Sequence, residues 1–123
     1  MIIQNAIKTP DGTVLRSFNR HDCKTHLDKN GFEYSVDGGN DYIKRSYDPN
    51  APAWEELCVS FEDVPLKEAV DIMAWGTRGK CGTKPLKWVA LSDMDHDHIE
   101  AVLENCDYIP AHYKLAFEYL LDR

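Results

Sequence analysis

The chain has 123 residues, 43% of them hydrophobic, which is enough for one domain-sized core over residues 1–123 and too apolar for global disorder. No apolar run reaches the roughly 18 residues of a membrane span, and the apolar start at residues 1–5 is too short for a signal peptide, so a place in the cytoplasm and no membrane partner are expected. A formal net charge of −7 argues against DNA or RNA polymers as partners, because binding them takes many cationic contacts.

Residues 2–8 carry Ile2, Ile3, Ala6 and Ile7 and run into Thr9-Pro10-Asp11-Gly12. There proline presets φ and glycine takes the left-handed corner. Residues 13–18 complete a predicted hairpin. In Asn19-Arg20-His21-Asp22, Asp22 is expected to orient His21 or to cap a turn, with Arg20 pairing with either. Neighbours in a strand point to opposite faces, so His21 and Asp22 are read as surface or ligand-orienting residues rather than an acid–base dyad. Asn30-Gly31 is a hairpin signal, and residues 32–36 alternate as a strand with one buried face. Asp37-Gly38-Gly39-Asn40 turns the chain into a fourth strand candidate at 41–47. The first half therefore reads as an antiparallel meander.

Residues 48–53 form a loop, and 54–58 a short helical turn or covering segment with Trp54 in the core. Pro65 opens a helix whose Leu66, Ala69, Val70 and Met73 share a face, and Gly76 is expected to end it. A strand follows at 86–91. Carboxylates at 93, 95 and 97 favour the positive end of a helix carrying Ile99, Val102, Leu103 and Cys106. Pro110 opens the last helix, with Tyr113, Ala116, Phe117 and Leu120 at helical spacing. The predicted class is α+β: an N-terminal antiparallel β-meander, then a helix, a basic Gly-rich loop, a strand and two C-terminal helices.

That basic stretch runs Trp75-Gly76-Thr77-Arg78-Gly79-Lys80-Cys81-Gly82-Thr83-Lys84-Pro85-Leu86-Lys87-Trp88, with four cations and no acid. Glycines let main-chain N–H groups approach an anion, Arg78 and Lys80 suit phosphate, and an indole face suits a base. A phosphate-holding loop and a plain basic turn both fit. Trp75 and Trp88 are open between core packing and ligand stacking. The loop is not a Walker A motif, since Cys81 follows Gly79-Lys80 and Ala74 stands where the first glycine belongs. It is not a dinucleotide fingerprint either, since a helix is expected to precede it.

No metal or other cofactor is expected. The four cysteines, Cys23, Cys58, Cys81 and Cys106, show no C-x-x-C spacing. His96 and His98 diverge on a helix. Asp93, Asp95, Asp97 and Glu104 mimic a calcium loop, but His98 occupies the position that needs glycine. Lys80 favours a thiolate at Cys81, yet no partner base stands out.

Arg20-His21-Asp22, Val36-Asp37-Gly38-Gly39-Asn40-Asp41-Tyr42-Ile43-Lys44-Arg45, Trp75-Gly76-Thr77-Arg78-Gly79 and Asp93-Met94-Asp95-His96-Asp97-His98-Ile99 occur in an order similar to that of small phage-encoded proteins. Among these the chain resembles the Thoeris anti-defence sponges. Paired cysteines near the first two turns of such proteins are replaced here by Thr9-Pro10-Asp11-Gly12 and Asp28-Lys29-Asn30-Gly31, so no zinc site is implied. The resemblance implies a non-enzymatic trap in the host cytoplasm for a cyclic ADP-ribose signal or a cyclic oligonucleotide. It also implies a homo-oligomer, with a hexamer among the candidate states. Trp75, Arg78, Lys80 and Trp88 would bind the ligand, joined by Arg20, His21, Asn40 and Arg45, some of them from a neighbouring subunit. Two rivals are an acidic inhibitor that binds a host protein as a nucleic-acid mimic, and an enzyme that cleaves the messenger through His21 or Cys81.

Overall fold

Strand β1 (Ile2–Lys8) turns Ile3, Asn5 and Ile7 to one face, all buried, and it is bonded along both edges. In the computed structural model, which describes residues 1–79 and 82–123, the chain forms two compact units, Met1–Asp63 and Val64–Arg123. The class is α+β, with an antiparallel strand-rich first half and helices in the second.

In the first unit β1 pairs with β2 (Val14–Ser17) on one side, and with β6 (Glu55–Glu56) and β7 (Val59–Ser60) on the other. A second sheet holds β3 (Lys24–Leu27), β4 (Glu33–Asp37) and β5 (Lys44–Tyr47) in that order. Ile7, Leu15, Tyr34 and Val36 form the core, with Phe32, Ala51 and Trp54 packed against it. Of residues 54–58, expected as a short helical turn or a covering segment, Glu55–Glu56 form a strand and none is helical. The second edge of β1 carries main-chain groups that need partners, and Leu57 N–H meets one of them at Ala6 O, 3.0 Å away. His21 lies in a turn before β3, not in a strand.

The two turns with the strongest sequence signals brace each other. Asp28 is buried and accepts from the main-chain N–H of Asp11 at 3.2 Å and of Asn30 at 2.8 Å. Asp11 accepts from the Thr9 hydroxyl, from Thr13 N–H at 3.1 Å and from Lys29 N–H at 3.4 Å, and its Oδ2 lies 2.9 Å from His26 Nε2. The contact with His26, and then that with Thr9, holds the Asp11 carboxyl well below the usual carboxylate range.

Facing loops in the same unit are locked by Gly39, whose φ is +54°. A β-carbon there would stand 2.3 Å from the Asn19 carbonyl carbon.

The second unit packs α1 (Leu66–Ile72), α2 (His96–Asn105) and α3 (Ala111–Asp122) with a hairpin of β8 (Ala74–Thr77) and β9 (Lys87–Ala90). Ala69, Val70, Met73, Leu91, Ile99, Ala116 and Phe117 are fully buried. Gly76 does not end α1. The helix stops at Ile72, and Met73 turns extended while its N–H still bonds Ala69 O. Gly76 lies inside β8, opposite Trp88, where a β-carbon would come within 3.2 Å of the indole. It is there for close approach of that ring, so the basic loop follows a strand. Among the described residues no helix is long and apolar enough to cross a membrane.

Gly39→Ala is expected to lower stability in urea by more than about 2 kcal/mol, because strain and a main-chain clash add together. Gly12→Ala, at φ +91° in open space, is expected to cost about 1–2 kcal/mol from strain alone. Folding depresses the Asp11 pKa, so the unfolded chain binds more protons there. The stabilisation is complete above the unfolded value of about 4 and fades as pH falls through the folded value. The urea midpoint is expected to drop from pH 5 to pH 2, and Asp11→Asn is expected to flatten that slope.

Candidate functional site

In a two-stranded ribbon, successive rows face opposite sides. Trp75 pairs with Val89 and Thr77 with Lys87 on one side; Gly76 pairs with Trp88 on the other. The two indoles therefore diverge. Trp75 packs edge-on against Tyr113 at 5.8 Å and Phe117 at 5.4 Å between ring centres, and the Tyr113 hydroxyl donates to Ala74 O at 3.1 Å. Trp75 is half-buried, with its ring packed on α3. Trp88 is half-buried and lies over Gly76 with Leu86 beside it.

The hairpin tip begins at Arg78, which is exposed. Gly79 adopts φ +82°, and its N–H donates to Thr77 Oγ1 at 3.2 Å. Lys84 N–H donates to Arg78 O at 3.0 Å, and the Lys84 side chain lies across Gly79, with Cδ 3.1 Å from the position of a β-carbon there. Arg78, Lys84 and Lys87 are exposed, and none forms an ion pair among the described residues. Lys80, nominated for phosphate, and Cys81 lie outside the described residues.

Beside this tip a hollow of about 630 Å³ opens between Thr77 and Gly79 and one face of α2. Ala101, Val102 and Cys106 supply an apolar wall, and His98 and Asn105 supply polar groups. Asp95 and Asp97 line the part nearest the start of α2. Asp95 caps the helix, its Oδ1 accepting from His98 N–H at 2.8 Å. Neither Trp75 nor Trp88 lines the hollow.

The remaining nominated residues belong to the first unit. Arg20 and His21 are exposed in the turn before β3; Arg20 O accepts from the Tyr42 hydroxyl at 3.2 Å, and His21 N–H donates to Asn19 Oδ1 at 3.2 Å. Asp22 caps this turn by accepting from Phe18 N–H at 2.9 Å, and pairs with Lys24 at 2.8 Å. Among the described residues its carboxylate bonds Phe18 N–H and Lys24, not His21. Asn40 follows the Gly38–Gly39 turn and is half-buried. Arg45 is engaged by the fold. Its guanidinium lies 5.0 Å from the Trp54 ring centre, donates to Cys58 Sγ at 3.0 Å and sits 3.6 Å from Glu56. Arg20, His21 and Asn40 thus share one loop cluster, and Arg45 stands apart from them at Trp54.

The face of α2 that lines the hollow was the feature missed. Its signal was readable, because His98, Ala101 and Asn105 fall at i, i+3 and i+7 and are small or polar, beside Val102 and Cys106 of the apolar stripe. Among the described residues, no three acidic, histidine or cysteine side chains are placed to hold a metal ion.

Comparison of the chain with protein-family models, with curated proteins and with solved structures found no match. The candidate site therefore rests on geometry and chemistry alone.

Trp75→Ala is expected to destabilise the protein by about 3 kcal/mol in urea unfolding, as befits a packed aromatic. Arg78→Ala is expected to leave stability within about 0.5 kcal/mol, because nothing in the fold leans on it.

Proposed function

We propose that this protein is a non-enzymatic sponge for a small phosphorylated nucleotide signal of the cyclic ADP-ribose type. It would bind the signal beside α2, leave it unaltered and keep it from its receptor in the host cytoplasm. The observation that carries this reading is an apolar-walled hollow next to a hairpin tip whose exposed Arg78 and Lys84 do not line it and form no ion pair among the described residues, in a molecule of net charge −7. A hollow of about 630 Å³ falls within the range of small-ligand sites, roughly 300–1,000 Å³. Arg78 stands between two residues that line it, and Lys84 lies over one of them. Both suit phosphate oxygens.

The sequence left Trp75 and Trp88 open between core packing and base stacking. Trp75 is occupied by Tyr113 and Phe117, so a base would rest on Ala101 and Val102. Self-association belongs to the same reading, since a closed assembly multiplies sites within one particle. The acidic surface also supports a second reading, an inhibitor that docks on a host protein's cationic face.

A thermal-shift panel of cyclic ADP-ribose isomers and cyclic oligonucleotides separates these readings. A sponge raises the melting temperature with one of them and releases it chemically intact on heat denaturation. Release of an altered compound points to an enzyme, and no shift with any nucleotide favours the protein-binding inhibitor. Arg78→Ala is expected to weaken binding tenfold or more, about 1.4 kcal/mol, and His21→Ala less than twofold. Equal affinities for wild type and Arg78→Ala would remove the hairpin from the site.

A further inference from the structure

The apolar wall of the hollow ends in a polar side chain on either side. His98 and Asn105 both line it from α2, about 10 Å apart along the helix axis, with Ala101 and Val102 between them. Asn105 stands at the end away from Asp95 and Asp97, next to Cys106. Its Nδ2 donates to Ala101 O at 2.9 Å, which fixes the amide against the wall. That bond takes one of the two N–H groups; the other N–H and Oδ1 form no hydrogen bond among the described residues. An amide held in this way offers one donor and one acceptor on a single planar, uncharged group. Asp95 and Asp97 offer acceptors only, and the Thr77 hydroxyl already accepts from Gly79 N–H. Resting on the sponge reading, we infer that Asn105 reads the base: a purine lies on Ala101 and Val102, its N6–H donates to Oδ1, and its N7 accepts from the remaining N–H. Cyclic ADP-ribose carries a ribose on both N1 and N9 of its adenine, so N6–H beside N7 is the donor–acceptor edge it has left. Hypoxanthine in the same seat presents two acceptors, O6 and N7, and Oδ1 then faces an oxygen with no proton to share. The ligand class is a nucleotide of a 6-aminopurine.

Calorimetric titration tests this with cyclic ADP-ribose and its hypoxanthine analogue, cyclic inosine diphosphate-ribose. Wild type is expected to bind the adenine compound about tenfold or more tightly than the analogue. Asn105→Ala is expected to bring the two within about twofold of each other by weakening the adenine compound alone. Its melting temperature is expected to stay unchanged, because Asn105 is exposed. A second readout places the ligand. Cys106 lines the hollow and is an exposed free thiol, as is Cys23 in the first unit. Bound cyclic ADP-ribose is expected to slow alkylation of Cys106 several-fold and to leave Cys23 unaffected, read by mass spectrometry of the peptides. Three results overturn the inference while leaving the sponge intact: equal binding of the two compounds to wild type, an unaltered ratio in Asn105→Ala, or undiminished labelling of Cys106 at saturating ligand. Failure of every cyclic nucleotide to bind removes the sponge and this inference together.

Discussion

Two buried polar side chains, Asn5 and Ser17, stand opposite each other on adjacent strands, and the loops of the first unit hang on them. The Asn5 amide donates to Asp37 O at 2.9 Å and Tyr42 O at 3.3 Å. The Ser17 hydroxyl donates to Asp22 O at 2.6 Å and accepts from Gly39 N–H at 2.9 Å. A buried main-chain group left unmatched costs about 1–3 kcal/mol, so two side chains here satisfy four such groups. The arrangement works only if the loops come close enough, and Gly38 and Gly39 permit that. A β-carbon on Gly38 would meet Tyr42 O at 1.9 Å. The exposed positions of Arg20 and His21 follow from this lock. The residues around them hold the loops, and these two are what the loops display.

In the second unit the corresponding constraint is Trp75. Its ring seals the space against α3, and two residues later on the same ribbon face Thr77 borders the hollow instead. The packed core gives way to open space within one strand. The hairpin is therefore packed at its base and carries exposed cations at its tip. Gly76 contributes on the other face by letting Trp88 lie close, which keeps the ribbon thin.

Local chemistry made much of the fold readable. Pro10-Asp11-Gly12 and Asn30-Gly31 mark turns because Gly12 and Gly31 take φ values of +91° and +84°. Helical spacing picked out Ala69, Val70 and Met73, and Tyr113, Ala116, Phe117 and Leu120, all buried. The failures share a cause, which is pairing at long range. Glu55 and Glu56 become a strand only because β1 offers an edge far away in sequence. Gly76 reads as a helix stop until Trp88 is known to lie over it. Arg45 looks like a free cation until Trp54 and Cys58 close around it. The hollow escaped notice for the same reason, since residues 77–79 and 95–106 are joined only by packing.

The fold engages some cations and leaves others exposed. Lys24 is matched by Asp22, and Arg45 by Trp54, Glu56 and Cys58, so these charges are compensated within the first unit. Arg78 and Lys84 stand on a stretch without acids, although the chain as a whole has 21 acidic residues against 14 basic ones. With no ion-pair partner among the described residues they keep their attraction for an outside anion, and the net negative charge discourages a long polyanion.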